Sequence, residues 1–203
     1  MQLFHSHFSP FVRKVMVVAH EGGLADRINL LPSAAHPTNR DARILERHPL
    51  AQVPTLVLED GRVLADSRVI CEYLDASGGG GLFPPAGSAR WTALGEQSTA
   101  DGLLDAALLI RYELTARPEA ERSAAWIAGQ EAKIDSALTA FEAEAAGYGD
   151  RVDIGTIAIA CALGYLDLRF PDLGWRGNRP ALGGWFEGFA ERPSMLATRP
   201  PAP

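Results

Sequence analysis

The chain has 203 residues, 47% of them hydrophobic, with 19 Lys and Arg against 25 Asp and Glu for a formal net charge of −6. That length suits one large domain or two small ones with a genuine core. The acidic balance argues against a nucleic-acid-binding protein, which would show a basic patch. The opening MQLFHSHF lacks the basic-then-apolar order of a secretory signal, and no apolar stretch free of charge reaches the length of a membrane span. A soluble, cytoplasmic protein without membrane contact is the expectation.

Gln2–Ser6 is short and partly apolar, as a strand would be. Pro10–His20 follows with Phe11, Val15 and Val18 at helical spacing, and Gly22-Gly23 ends the run. Ser9-Pro10 suits a helix start, because serine is a favoured N-cap and proline lacks an N–H where none would be paired. Arg27–Leu31 reads as a second strand, which makes a parallel strand–helix–strand unit with a right-handed crossover. A loop with Pro32 and Pro37 leads to a short helix over 40–47. Thr55–Leu58 and Arg62–Leu64 flank Asp60-Gly61, a strong hairpin signal because both residues tolerate positive φ. Ser67–Ala76 looks helical, so the first part reads β-α-β-α-β-β-α.

Residues 77–87, SGGGGLFPPAG, can continue neither a helix nor a central strand. They mark a linker between a first domain, 1–76, and a second, 88–203, in which everything is helical in pattern. The predicted helices there are 88–116, one opened by Pro118 and carrying Trp126, Ile134, Leu138 and Phe141, then 154–170 and 179–191, followed by a proline-rich tail. The 154–170 helix is apolar nearly all round, the mark of a helix in the middle of a bundle. Asp153 and Thr156 at its start form a capping box with the acidic and hydroxyl residues exchanged. Trp175 and Trp185 read as packing residues.

Cys71 and Cys161 have no C-x-x-C spacing, so neither a disulfide framework nor a zinc site is expected. His5, His7, His20, His36 and His48 show no metal-ligand spacing, and no metal is expected. Arg13, one helical turn past Ser9, is expected to pair with an acid.

Three short pieces of the first domain stand out together: Ser9-Pro10-Phe11 at a strand-to-helix turn, Gln52-Val53-Pro54-Thr55 where proline precedes a strand, and Asp66-Ser67 before a helix. In this order, with a linker and an all-helical second part, the chain resembles the cytosolic glutathione S-transferases over almost its whole length. SPFVRKV, ADGLLDA, TIAIACALGYLDLR and the Arg-Pro pairs toward the C-terminus resemble the bacterial YibF-like branch of that superfamily. The resemblance implies an α/β thioredoxin-like N-terminal domain and an all-α C-terminal helical bundle domain, with the bond before Pro54 in cis. It implies a glutathione transferase: glutathione as co-substrate with no other cofactor, a small hydrophobic electrophile as second substrate, a role in detoxification and a homodimer.

It also implies site residues. Val53, turned outward by Pro54, would pair its backbone N–H and C=O with the bound tripeptide as an added strand does. Ser67 at a helix N-terminus would take the γ-glutamyl carboxylate, and Asp66 the γ-glutamyl ammonium. Ser9 either caps its helix only or also donates to the glutathione sulfur. A two-unit lowering of a thiol pKa needs about 2.7 kcal/mol, within reach of a charge-assisted hydrogen bond and a helix terminus. Gln52 and His36 are lesser candidates for the glycine end. Asp101 and Asp105 lie one turn apart on one helix face; Asp101 either reaches glutathione across a dimer or sits on a solvated face. Phe11, Asp105, Arg111 and Tyr112 are candidates for the second-substrate pocket.

Two alternatives stay open. Folds of this kind also serve as non-catalytic binding or regulatory proteins. A glutathione-dependent reductase or peroxidase would need a cysteine for mixed disulfides, and neither Ser6 nor Ser9 is one. A tyrosine-based mechanism is excluded because no tyrosine occurs in the first 72 residues.

Overall fold

A computed structural model describes residues 1–201. The chain forms two compact units, one of Met1–Arg90 with the segment from Pro193 onward, the other of Trp91–Arg192. The segment after Arg192, assigned from sequence to the helical part, thus groups with the first unit.

The first unit is built on a four-stranded sheet of order β2-β1-β3-β4. Its strands are β1 (Gln2–His5), β2 (Asn29–Pro32), β3 (Thr55–Val57) and β4 (Val63–Ala65). β2 runs parallel to β1, while β3 is antiparallel to both β1 and β4. The predicted parallel unit and the Asp60-Gly61 hairpin are both present; Gly61 has φ 84°, the conformation the hairpin signal called for. β2 starts later than predicted, because a 3-10 turn over Ala25–Arg27 uses the preceding residues.

α1 (Pro10–Glu21) and α3 (Ser67–Gly78) pack on each other. Their ends meet at two glycines: a Cβ on Gly78 would lie 2.7 Å from the Gly22 carbonyl oxygen. On the sheet, Leu3 pairs with Leu56 and both are fully buried. Phe4, alternating to the opposite face, packs with Ile44 and Ala51, and Leu31 and Val53 close the same cluster. Ile44 belongs to α2 (Ala42–Leu45), shorter than the predicted 40–47 because Asp41 caps it from a β-region backbone.

Beyond α3 the glycine-rich linker is tied down. Asp75, buried, accepts from the Leu82 and Phe83 N–H groups at 3.0 Å each. The tail contains a short helix, Pro193–Ala197, that sequence reading missed. Arg13 holds it, donating to the Met195 carbonyl at 3.2 Å rather than pairing with an acid as expected. Ser194 donates to Glu21 at 2.6 Å.

The second unit contains α4 (Ser88–Thr115), most of which lies in it, α5 (Ala124–Glu144), α6 (Ile154–Arg169) and α7 (Pro180–Ala190); the tail helix of the first unit is α8. Pro118 opens only a 3-10 turn over Glu119–Glu121; α5 begins after Ser123, whose hydroxyl accepts from the Trp126 N–H. α6 is the buried centre, as its all-round apolar pattern predicts. Its exchanged capping box is present: Asp153 accepts from the Gly155 and Thr156 N–H groups at 2.9 and 3.1 Å, and the Asp153 N–H donates to Thr156 Oγ1 at 3.1 Å.

A charged network covers this cap. Arg151 donates to both oxygens of the buried Glu96 carboxylate at 2.6 Å, and its Nε lies 3.3 Å from Asp153 Oδ2. Burial nevertheless pushes the Glu96 pKa up against the pull of Arg151. Gly155 is required here, since a Cβ would fall 2.2 Å from Glu96 Oε2 and 2.9 Å from the Ala93 carbonyl. Gly155→Ala is therefore expected to lower the unfolding free energy by about 2–3 kcal/mol through overpacking, read from urea denaturation with an unchanged slope.

Candidate functional site

Strand register puts three chain segments on one edge of the sheet. Phe4 pairs with Thr55, and Thr55 with Ala65. The exit of β1, the entry of β3 and the exit of β4 therefore lie side by side. The Ser6–Ser9 turn, Val53-Pro54 and Asp66-Ser67 leave from that edge. So does the loop after β2, since His5 pairs with Pro32.

Ser6–Ser9 is a tight turn closed by the Ser9 N–H on the Ser6 carbonyl at 3.1 Å. Ser9 caps α1, its Oγ accepting from the Val12 N–H at 3.3 Å. Its hydroxyl proton has no acceptor among the described residues, so it points to none of the protein's own groups. Asp66 caps α3 in the same way, accepting from the Arg68 N–H at 2.9 Å with its backbone at φ 70°. A non-glycine residue in that region is uncommon and carries a cost of about 1–3 kcal/mol. Ser67 is buried at the first position of that helix.

The Val53-Pro54 bond is cis. Val53 takes part in no backbone hydrogen bond among the described residues, which leaves one donor and one acceptor unpaired at the edge. Gln52 is exposed, and its carbonyl is held by Thr55 Oγ1 at 2.6 Å. His36 lies in the loop after β2, its Nδ1 2.8 Å from Thr38 Oγ1. Phe11 lies partly exposed in α1, 5.8 Å from the Lys14 ammonium.

The remaining sequence candidates belong to the helical unit. On α4, Asp101 is buried and Asp105 exposed, while Arg111 and Tyr112 are partly exposed near its C-terminal end.

Two groupings at the edge went unnoticed in the sequence. His5 and His7 meet edge to face, ring centroids 4.7 Å apart and Nε2 atoms 3.4 Å apart, directly before Ser9. Burial lowers the His5 pKa; the Leu31 carbonyl opposes this and the charge on His7 adds to it. Their i, i+2 spacing was the available signal.

The second grouping is Ser33, Asp41 and Arg43. Asp41 accepts from Ser33 Oγ at 2.7 Å and from Arg43 Nη2 at 2.7 Å, and Arg43 Nη2 also donates to the Pro32 carbonyl at 2.8 Å. The Arg43 guanidinium holds the Asp41 carboxyl well below the usual carboxylate range, with Ser33 contributing.

These features define a thioredoxin-like α/β unit joined to a helical unit, the glutathione S-transferase fold. A family model described as the glutathione S-transferase N-terminal domain matches residues 8–77, and one described as the C-terminal domain matches residues 124–188. The chain is 36% identical to the uncharacterized GST-like protein YibF of Escherichia coli K12, over 99% of each chain. It is 48% identical to a glutathione transferase family member from Pseudomonas fluorescens Pf-5 whose crystal structure holds bound glutathione (TM-score 0.96, 98% of each chain). A second structure from that organism, with bound S-(propanoic acid)-glutathione, gives 47% identity and a TM-score of 0.91 over 99% of this chain and 100% of that one. The chain belongs to the glutathione S-transferase family.

The Asp41 cluster has a signed pH dependence. Because its pKa is depressed on folding, its stabilisation is complete above the unfolded carboxylate value of about 3.9 and fades as pH falls through the folded one. Asp41→Asn is expected to lower the melting temperature by a constant amount above about pH 5, a difference that shrinks below about pH 4. Parallel thermal melts of both proteins across that range check it.

Proposed function

We propose that the protein is a glutathione transferase, acting as a homodimer in the cytoplasm, in which the sheet edge binds glutathione and favours its thiolate for attack on a small electrophile. The observation that carries this reading is the Ser9 hydroxyl, which accepts from its helix while its own proton is uncommitted. Set at the N-terminus of α1, that O–H can donate to a sulfur anion beside a helix end that favours negative charge. The thiolate, not the thiol, is the nucleophile.

The other edge groups suit the rest of a tripeptide. Val53 offers an unpaired backbone donor and acceptor of the kind an extended peptide pairs with. Ser67 and the first N–H groups of α3 suit a carboxylate, and the exposed Asp66 suits an ammonium. The family membership and the glutathione held by the Pseudomonas relative support the assignment. With serine at position 9, the chemistry expected is nucleophilic conjugation rather than mixed-disulfide exchange.

Ser9→Ala is expected to lower kcat/KM for 1-chloro-2,4-dinitrobenzene about 10- to 100-fold, the loss of one hydrogen bond to a charged group. The kinetic pKa of bound glutathione should rise by about one to two units. An unchanged pH–rate profile would remove Ser9 from the mechanism.

A further inference from the structure

The turn that carries Ser9 is held by long hydrogen bonds among its own residues. The Ser9 N–H reaches the Ser6 carbonyl at 3.1 Å, the Phe8 N–H reaches Ser6 Oγ at 3.4 Å, and the Val12 N–H reaches Ser9 Oγ at 3.3 Å. His7, inside this turn, ties it back to the sheet. Its Nε2 meets Nε2 of His5, the last residue of β1, at 3.4 Å. The two rings stand edge to face, their planes at 87° and their centroids 4.7 Å apart.

This contact depends on protonation. Two imidazole Nε2 atoms that meet share one proton, because one must donate and the other accept. When both carry an N–H, two donors and two positive charges face each other. His5 is buried and His7 exposed, so the ring of the turn is the one that swings away into water.

The neighbouring elements do not relieve that repulsion. β2 and β3 flank β1 and contain no ionisable side chain. The loop after β2 carries His36, whose ring is engaged with Thr38. Asp41 and Arg43 pair with each other, and Asp66 accepts from the Arg68 N–H at the start of α3. α1, into which the turn leads, carries Arg13, Lys14, His20 and Glu21, with Arg13 bonded to the Met195 carbonyl. Burial lowers the His5 pKa against the Leu31 carbonyl, and the one charge that acts on the ring, that of His7, lowers it further.

We propose that the His5–His7 contact, with one proton between the rings, positions the Ser9 turn, and that a second proton breaks the contact and releases the turn. His5 and His7 are then positioning residues that act through Ser9. The consequence for catalysis rests on the transferase reading above; the consequence for the turn does not.

Variants of His7 separate contact from charge. Glutamine donates and accepts through one amide, so His7→Gln keeps the contact whether or not His5 is protonated, while His7→Ala removes it. With glutathione and 1-chloro-2,4-dinitrobenzene, kcat/KM of every form falls in acid as the thiolate is lost. Between about pH 8 and pH 5 the wild type is expected to fall about tenfold further than His7→Gln, the mark of one extra proton. At the alkaline end His7→Gln should match the wild type, and His7→Ala should be about three- to tenfold lower, with no extra loss in acid.

By nuclear magnetic resonance the two imidazoles of the wild type should titrate in two steps about one pH unit or more apart. The Ser9 amide resonance should move with the second step in the wild type and stay in place in His7→Gln. The proposal is overturned if the extra acid loss persists in His7→Gln, if His7→Ala equals the wild type at the alkaline end, or if the Ser9 amide does not follow the rings. If His7→Ala fails to fold by circular dichroism, the His7→Gln profile and the wild-type titration decide. If no form turns over the substrate yet the Ser9 amide follows the second step, the transferase reading fails and the positioning of the turn stands.

Discussion

The alignment of Phe4 with Thr55 and of Thr55 with Ala65 across three strands is the constraint on which the candidate site depends. Hydrogen-bond registry along a sheet admits no continuous sliding, and a one-residue slip would turn Leu3 and Leu56 out of the core. With that register held, the chain leaves β1, enters β3 and leaves β4 along one edge. Two helix starts, each capped by a side chain from the preceding residue, therefore open there. Between them lies Val53, its backbone polar groups unpaired. Everything proposed for the site follows from donors and acceptors that the sheet positions but does not use.

The supporting structure is redundant where the site is open. The Phe4–Ile44–Ala51 cluster fixes Val53 from one face, and Thr55 Oγ1 fixes the Gln52 carbonyl. Asp41 and Arg43 clamp the loop after β2 through the Pro32 carbonyl. The unusual backbone of Asp66 is held by its own capping bond and by the burial of Ser67. Strain of this kind persists only where the surroundings over-determine it.

The helical unit places its buried charge at a helix start. Around the start of α6, Glu96, Arg151 and Asp153 satisfy one another and seal the cap of the central helix. This arrangement holds a helix start in place.

Much of this was legible in the residues. Ser9-Pro10, Asp153 with Thr156, Asp60-Gly61 and the apolar circumference of 154–169 each act within a few residues, so a cap, a turn or a buried helix could be placed from local rules. The resemblance carried by Ser9, Val53-Pro54 and Asp66-Ser67 supplied the family. What local rules could not supply was pairing between residues far apart in the chain. Arg13 meets a carbonyl of α8 instead of an acid, and α8 itself joins the first unit. A side chain's partner depends on which elements the core brings together, and no spacing rule along the sequence encodes that geometry.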